Sequence, residues 1–371
     1  MAFEIKNNVL RKYTPQENIQ QIKTDDGYAT VLITTTTVVV PDGIVEIGNN
    51  AFAKCKKIEK VILPNGLKTI SKSAFKDCNN LVEIVVPDTL ENIGAYAFSG
   101  CSKLKVFQIP DTVKVFGKYA FNNCSSLEFE DFTLPKGLTE IPEGLFRGTK
   151  IKKITVPSGV KRIGHRAFHC CYSLEKVDLP DGLENIEWEA FYICASLKEI
   201  NFPDTLTSIG RCVFNSCCSL ESIALPEKCV VSGWNFTGTS ITEFKIPKSW
   251  EEIPAYCFAS CKKLTMIEIP KTVKKIGLGA FKDVRVENVI LNEGLEEIGD
   301  QAFLGFNVIN NKNGGLLLPK TLKQIGRNAF FCYTWEKQVK LLVYRGSYAE
   351  QYAKENGIVF HEKEQNFSGI K

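Results

Sequence analysis

The sequence predicts a β-rich repeat solenoid of about thirteen coils with caps at both ends, and three observations carry that prediction. Prolines fall at 41, 64, 87, 110, 135, 157, 180, 203, 226, 247 and 270, so most steps are 23 residues. A second ladder runs in phase with the first: Phe52, Phe75, Phe98, Phe121, Phe146, Phe168, Phe191, Phe214, Phe236, Phe258, Phe281, Phe303 and Phe330, over half of the 24 phenylalanines. A pattern of apolar-x-x-apolar-x-apolar starts at 58, 81, 104, 129, 151, 174, 197, 220, 241, 264 and 286. Independent residue types holding one period over about 290 residues are the mark of stacked coils, each burying its apolar face only against its neighbours.

The elements follow in chain order. Residues 1–40 are off-register, with Phe3, Ile5, Val9, Leu10 and a β-rich stretch from Thr30 to Val40, and are expected to form an N-terminal strand cap. An open stack needs such a cap because its last coil otherwise exposes an apolar face and an unpaired edge. Residues 41–344 are the solenoid. In the coil Leu197 to Ser219, Leu197-x-x-Ile200-x-Phe202 alternates as a short half-buried strand. Pro203 lacks an N–H and ends it, and Asp204-Thr205 supplies turn chemistry. Leu206 and Ile209 are the next inward pair, followed by Gly210. Pro142 and Pro254 fill that glycine slot in other coils, and proline cannot take positive φ, so the slot is expected to serve close approach or a bend. Phe214 and Cys217 close the coil. Residues 345–371 are expected to form a helix–strand cap and tail: Ser347-x-x-Glu350 is a capping box, Gly357 stops the helix, Ile358-Val359-Phe360 reads as a strand, and 361–371 as a loose tail.

Composition excludes several function classes. The 46 Lys+Arg and 42 Asp+Glu leave a net charge of +4 spread along the chain, which gives no electrostatic footprint for nucleic acid. No run approaches the ~18 apolar residues of a membrane span. The start, Met-Ala-Phe-Glu-Ile-Lys, carries neither a basic leader nor a long apolar core.

Motifs with chemical potential reduce to the repeat. Eight of the 14 cysteines (55, 78, 101, 124, 171, 194, 217, 261) stand three residues after a ladder phenylalanine, and Thr149, Thr239 and Val284 replace them elsewhere. The spacing is the repeat period and not a metal-ligand spacing, so a column of small packed side chains is expected. Cys170, Cys212, Cys218, Cys229, Cys257 and Cys332 share no pattern. His165, His169 and Cys170-Cys171 resemble a metal cluster only superficially, and three histidines leave little material for acid–base or triad catalysis. Gly159-x-x-x-x-Gly164 is followed by His165 where a phosphate loop has Lys. The sequons at Asn123, Asn235 and Asn366 are short patterns, and the first two abut core positions. Neither a cofactor nor a metal is expected.

The outward side chains of the strands are the remaining candidate. They are Lys60 and Ile62, Glu83 and Val85, Val106 and Gln108, Asp131 and Thr133, Lys153 and Thr155, Lys176 and Asp178, then Glu199 and Asn201. Ser222 and Ala224, Glu243 and Lys245, Met266 and Glu268, and Asn288 and Ile290 continue the series. A solvated face should be mostly charged, yet Ile62, Val85 and Val106 are expected to form an apolar row suited to a partner. Strand propensity alone would also select β-branched residues there. Trp234, in the irregular coil Val231-Ser-Gly-Trp-Asn-Phe236, is a candidate anchor.

The fuller pattern, Leu-x-x-Ile-x-Leu-Pro-x-x-Leu-x-x-Ile-Gly-x-x-Ala-Phe-x-x-Cys, resembles the BspA-like leucine-rich-repeat family over roughly residues 41 to 344. The resemblance implies a right-handed leucine-rich-repeat stack, no active site, and a protein–protein interaction or adhesion role as a monomer. Its expected ligand is a protein on a host or neighbouring cell. A glycan-binding module is the alternative, with Trp188, Trp234 and Trp250 as stacking candidates. The family also implies display at the cell surface or secretion. Many thiols without evident pairing suit a reduced setting, so a cytoplasmic location is the alternative.

Overall fold

The computed structural model describes residues 2–14, 18–24, 27–33, 36–105, 107–128, 132–308, 315–333 and 339–363, with the backbone alone at 2, 18–24, 27–33, 132–133 and 307–308. It is a parallel β-solenoid, and the chain divides into two compact units, Met1–Gly182 and Leu183–Lys371. Six ladder phenylalanines lie in the first unit and seven in the second.

In the first unit the strands Ala2–Lys6 and Val9–Thr14 pair antiparallel, and Val9–Leu10 then pairs parallel with Glu46–Ile47 of the first coil. The Tyr13 N–H donates to Ala51 O at 2.9 Å, and its ring stacks on Phe52 at 5.0 Å, so Tyr13 takes the place of a preceding ladder phenylalanine. From there Glu46–Ile47, Thr69–Ile70, Asn92–Ile93 and Val115–Phe116 form one parallel ladder in register. In the second unit the corresponding ladder runs through Asn185–Ile186, Ser208–Ile209 and Val230–Val231. A separate one runs from Glu252–Ile253 through Lys275–Ile276 and Glu297–Ile298 to Gln324–Ile325. The C-terminal helix Tyr348–Glu355 is capped by Ser347, whose side chain accepts from the Glu350 N–H, and Glu350 accepts from the Gly346 N–H.

The phenylalanines form the core. Rings stack between successive coils at 4.8 to 5.9 Å in the first unit and 5.3 to 6.3 Å in the second. Around every ladder ring but Phe330, where only Asn328 is, the backbone is left-handed two residues before and two after: Asn50 and Lys54 flank Phe52, Ser73 and Asp77 flank Phe75. Such a conformation costs a non-glycine residue about 1–2 kcal/mol. It is offset by hydrogen bonding in two directions. Asn50, Phe52 and Lys54 donate to Lys72, Ala74 and Lys76 of the next coil at 3.1, 2.7 and 2.7 Å, while Ala51, Ala53 and Cys55 donate back to Gly48, Asn50 and Phe52. The coil therefore satisfies its buried N–H groups without a strand on this side.

The glycine slot serves close approach. Gly117 has no left-handed backbone, and a Cβ built on it would lie 2.1 Å from Ala95 N of the preceding coil. Gly117→Ala is expected to destabilise by about 3 kcal/mol, the upper end of overpacking, because what it meets is backbone. Gly66→Ala, with φ +93° and open space around it, should cost about 1–2 kcal/mol through conformation alone. Urea midpoints of the two variants separate the mechanisms; equal losses would show that the slot is not tight.

The cysteine column does more than fill space. Cys78, Cys101, Cys124, Cys171, Cys217 and Cys261 each place Sγ 3.0 to 3.2 Å from the carbonyl of the ladder phenylalanine one coil back. Thr149 and Thr239 use their hydroxyls on Phe146 O and Phe236 O at 2.8 Å. In these coils the column holds a small side chain that donates a hydrogen bond, whereas Val284, equally buried, only packs. In the coil after Cys124, Leu127 and not position 129 takes the buried site that Leu81 and Leu104 hold, so the two extra residues fall between Leu127 and Phe132. Position 129 lies outside the described residues.

Asn235 stands where most coils carry alanine before the phenylalanine, and it is fully buried. Its Oδ1 accepts from Val213 N–H at 3.1 Å, and its Nδ2 donates to Gly210 O and Ser232 O at 2.7 and 2.6 Å. Asn235→Ala restores the repeat pattern, yet it is expected to lower stability by about 2–3 kcal/mol because the buried Val213 N–H and two part-buried carbonyls lose a partner. An unchanged melting temperature would refute this.

Candidate functional site

The outward strand face of the first unit is built by Thr37–Val39, Lys60–Ile62 and Glu83–Val85, paired in parallel. Side-chain alternation sends Val38, Val61 and Ile84 into the core and the flanking residues outward. Register then makes two rows. Thr37, Lys60 and Glu83 form one, in which Lys60 Nζ meets a Glu83 carboxylate oxygen at 2.9 Å. Val39, Ile62 and Val85 form the other, with Val39 55% and Val85 42% exposed and Ile62 half-buried. The row differs from the one expected. Val39 heads it, although it falls in the stretch read as a cap. Val106 lies outside the described residues, and its 23-residue step relates it to Glu83 and not to Val85. Gln108 is exposed.

Farther along the same unit, Lys153–Thr155 pairs in register with Lys176–Asp178. Lys153, Thr155 and Asp178 are exposed, and Lys176 reaches Asp178 at 3.4 Å, so this part of the face is polar. Asp131 and the side chain of Thr133 lie outside the described residues. In the second unit Glu199 and Asn201 are exposed, and Met266 and Ile290 stand outward on different rows, opposite Asn288 and Glu268.

The tryptophans separate into three environments. Trp188 is 47% exposed. Trp234 is half-buried, holds left-handed backbone, and lies on the Tyr256 ring at 3.9 Å with Arg211 5.9 Å away. Trp250, a stacking candidate in the sequence, belongs instead to the core: it is 5% exposed and its indole N–H donates to Cys229 O at 3.0 Å. Sequence pattern does not separate the three, because burial here depends on which coil lies over the ring.

Titratable clusters on the surface hold their resting charges. Glu143 meets Lys118 at 2.8 Å, accepts from the Tyr119 hydroxyl at 2.9 Å and lies 3.4 Å from His165 Nδ1. The Lys118 hydrogen bond holds the Glu143 carboxyl below the ordinary range, and the same bond pushes the Lys118 ammonium up. Glu91 is likewise lowered by hydrogen bonds from Lys68 and Lys114 at 2.8 and 3.0 Å. Shifts in these directions keep each group charged, as in an ion pair. Among the described residues no group of three His, Cys, Asp or Glu side chains is placed to hold a metal, and no helix is long and apolar enough to cross a membrane.

The sequence matches the family described as BspA type leucine rich repeat region, in six copies, over residues 6–128, 125–234 and 231–341. Among solved structures, a leucine-rich repeat protein from Bacteroides ovatus is similar over 95% of this chain and 99% of its own, at 25% identity and a TM-score of 0.67. A leucine rich cell surface protein from Faecalibacterium prausnitzii is similar in fold over 95% of this chain and 96% of its own, at 21% identity and a TM-score of 0.52. No curated protein matches the chain.

Proposed function

This chain belongs to the BspA-type leucine-rich-repeat family, a repeat scaffold generally non-enzymatic and generally used for protein–protein interaction, and from that premise we propose that it is a non-catalytic interaction or adhesion scaffold. Its ligand in this reading is a protein on a host or neighbouring cell, bound across the outward strand face. The observation that carries the reading is the in-register row Val39, Ile62 and Val85, apolar and bordered by the Lys60–Glu83 pair. An apolar stripe with a polar edge is the composition of an interface core and rim. Residues 1–40, up to the strand Thr37–Val39 that already belongs to the face, and 345–371 act as caps in this reading, and the binding species is a monomer. A surface or secreted location is part of it, supported by the likeness to the cell surface protein of Faecalibacterium prausnitzii.

A photo-crosslinking residue at position 85, delivered on the full chain to intact cells, should trap a discrete protein. The same residue at Lys54, exposed on the phenylalanine side, should not. Equal yields at both positions would defeat the strand-face reading. Protease added to intact source cells should cleave the protein while a cytosolic marker survives; protection of both would defeat the surface location. Trp188, the most exposed of the three candidate rings, supports glycan binding as a second reading. Trp188→Ala should then abolish retention on a glycan column.

A further inference from the structure

The two prolines in the glycine slot coincide with two breaks in the isoleucine-side ladder. In the first unit Val115–Phe116 and Glu140–Ile141 belong to separate sheets, before Pro142; in the second, Val230–Val231 and Glu252–Ile253 do, before Pro254. A regular step shows what is missing. Lys274 and Lys275 both donate to Glu251 O, at 2.8 and 3.3 Å, and Gly277 donates to Ile253 O at 2.8 Å. One coil earlier, the Glu251 and Glu252 N–H groups make no such bond to Cys229 O, which instead accepts from the Trp250 indole N–H at 3.0 Å, and Pro254 has no N–H to offer Val231 O. The phenylalanine side stays closed, with Trp234, Phe236 and Gly238 donating to Ala255, Cys257 and Ala259 at 2.9 Å. The gap is therefore a wedge open to solvent. It holds a cavity of about 370 Å³ lined by Val230, Val231, Trp250, Glu251, Glu252 and Pro254.

The side chains at the wedge depart from the repeat. Six residues before the ladder phenylalanine, eleven of thirteen coils carry a polar or charged residue. The exceptions are Val115 and Val230, 54% and 65% exposed, and each stands on the coil just before a proline coil. The second wedge adds charge: Glu251 and Glu252 are exposed and have no ion-pair partner among the described residues. At the first, Glu140 is already paired with Arg162.

We propose that the wedge between Val230 and Pro254 binds an extended, basic peptide segment of a partner protein. Its backbone adds to the open edge, accepting from the Glu251 and Glu252 N–H groups and donating to Val231 O. Its Lys or Arg side chains face the two carboxylates, and a small apolar side chain covers Val230. The site is separate from the strand face and does not depend on it.

The test is titration calorimetry of the full chain with a blocked octapeptide of alternating Lys and Val. Saturable binding is expected, weakened roughly tenfold in E251Q/E252Q, which removes two exposed charge contacts of about threefold each, and weakened likewise in V230D, with melting temperatures unchanged. E140Q and V85K should bind as the unaltered chain does, which separates this site from the first wedge and from the strand face. N-methylation of alternate peptide amides should remove binding. No saturable binding, or binding unmoved by N-methylation or by both wedge variants, overturns the proposal.

Discussion

Raising the pH from 8 to 10 is expected to remove about 4 kcal/mol of stability through three buried thiols alone. Burial pushes Cys171 up to about 11, and Cys217 and Cys261 up to about 12, from an ordinary value of 9.0. All three are fully buried. In the unfolded chain each loses its proton near 9, while in the folded chain it keeps it. The folded state is thus fully favoured below pH 9, and the advantage is lost as pH rises from there through 11 to 12. At pH 10 each thiol weakens the fold by about 1.4 kcal/mol. Burial raises Cys101, Cys124 and Cys257 as well, which steepens the loss. Against a typical total of about 5–15 kcal/mol this is enough to unfold the protein in moderate denaturant. Urea midpoints at pH 7.5, 9 and 10 under reducing conditions measure it. Midpoints constant across that range would mean that the thiols are not held in the core. The same burial predicts that a thiol reagent at pH 8 modifies exposed Cys218 quickly and reaches all 14 cysteines only in denaturant.

Phe121→Ala is expected to cost about 3–5 kcal/mol, at the level of a large aromatic removed from a core that cannot collapse. Phe121 is fully buried, stacks on Phe98 at 5.4 Å and Phe146 at 5.7 Å, and meets Phe107 edge-on at 5.0 Å. The hydrogen-bonded coils on either side fix the spacing, so the void stays open. Phe331→Ala, at a ring 52% exposed, should change stability by about 0.5 kcal/mol or less and serves as the control. A loss below about 2 kcal/mol at Phe121 would mean that the stack repacks across coils.

The repeat was legible because each coil buries the same side chains. Phe52 through Phe330, the Leu-x-x-Ile pattern and the cysteine column all report inward positions, and inwardness follows from apolarity at fixed spacing. The left-handed pairs were not legible. They fall on Asn50, Tyr96, Arg166, Glu189 and even Ile193, residue types that share no preference for that backbone. Neighbouring coils impose it through their carbonyls. The thiol hydrogen bonds were equally hidden, since a column of cysteine looks the same whether it packs or donates. At the candidate site the sequence named Ile62 and Val85 but missed Val39, whose place in the row depends on which strand pairs with which.

Read alone, the sequence determined the number of coils, the inward residues and the slot where coils touch, because these are one-dimensional consequences of a 23-residue period. Only the tertiary structure decided what the two slot prolines do. In sequence Pro142 and Pro254 are tolerated replacements for glycine. In the fold each falls where a neighbouring strand asks for an N–H, and a ring nitrogen has none to give, so the ladder opens there beside Val115 and Val230.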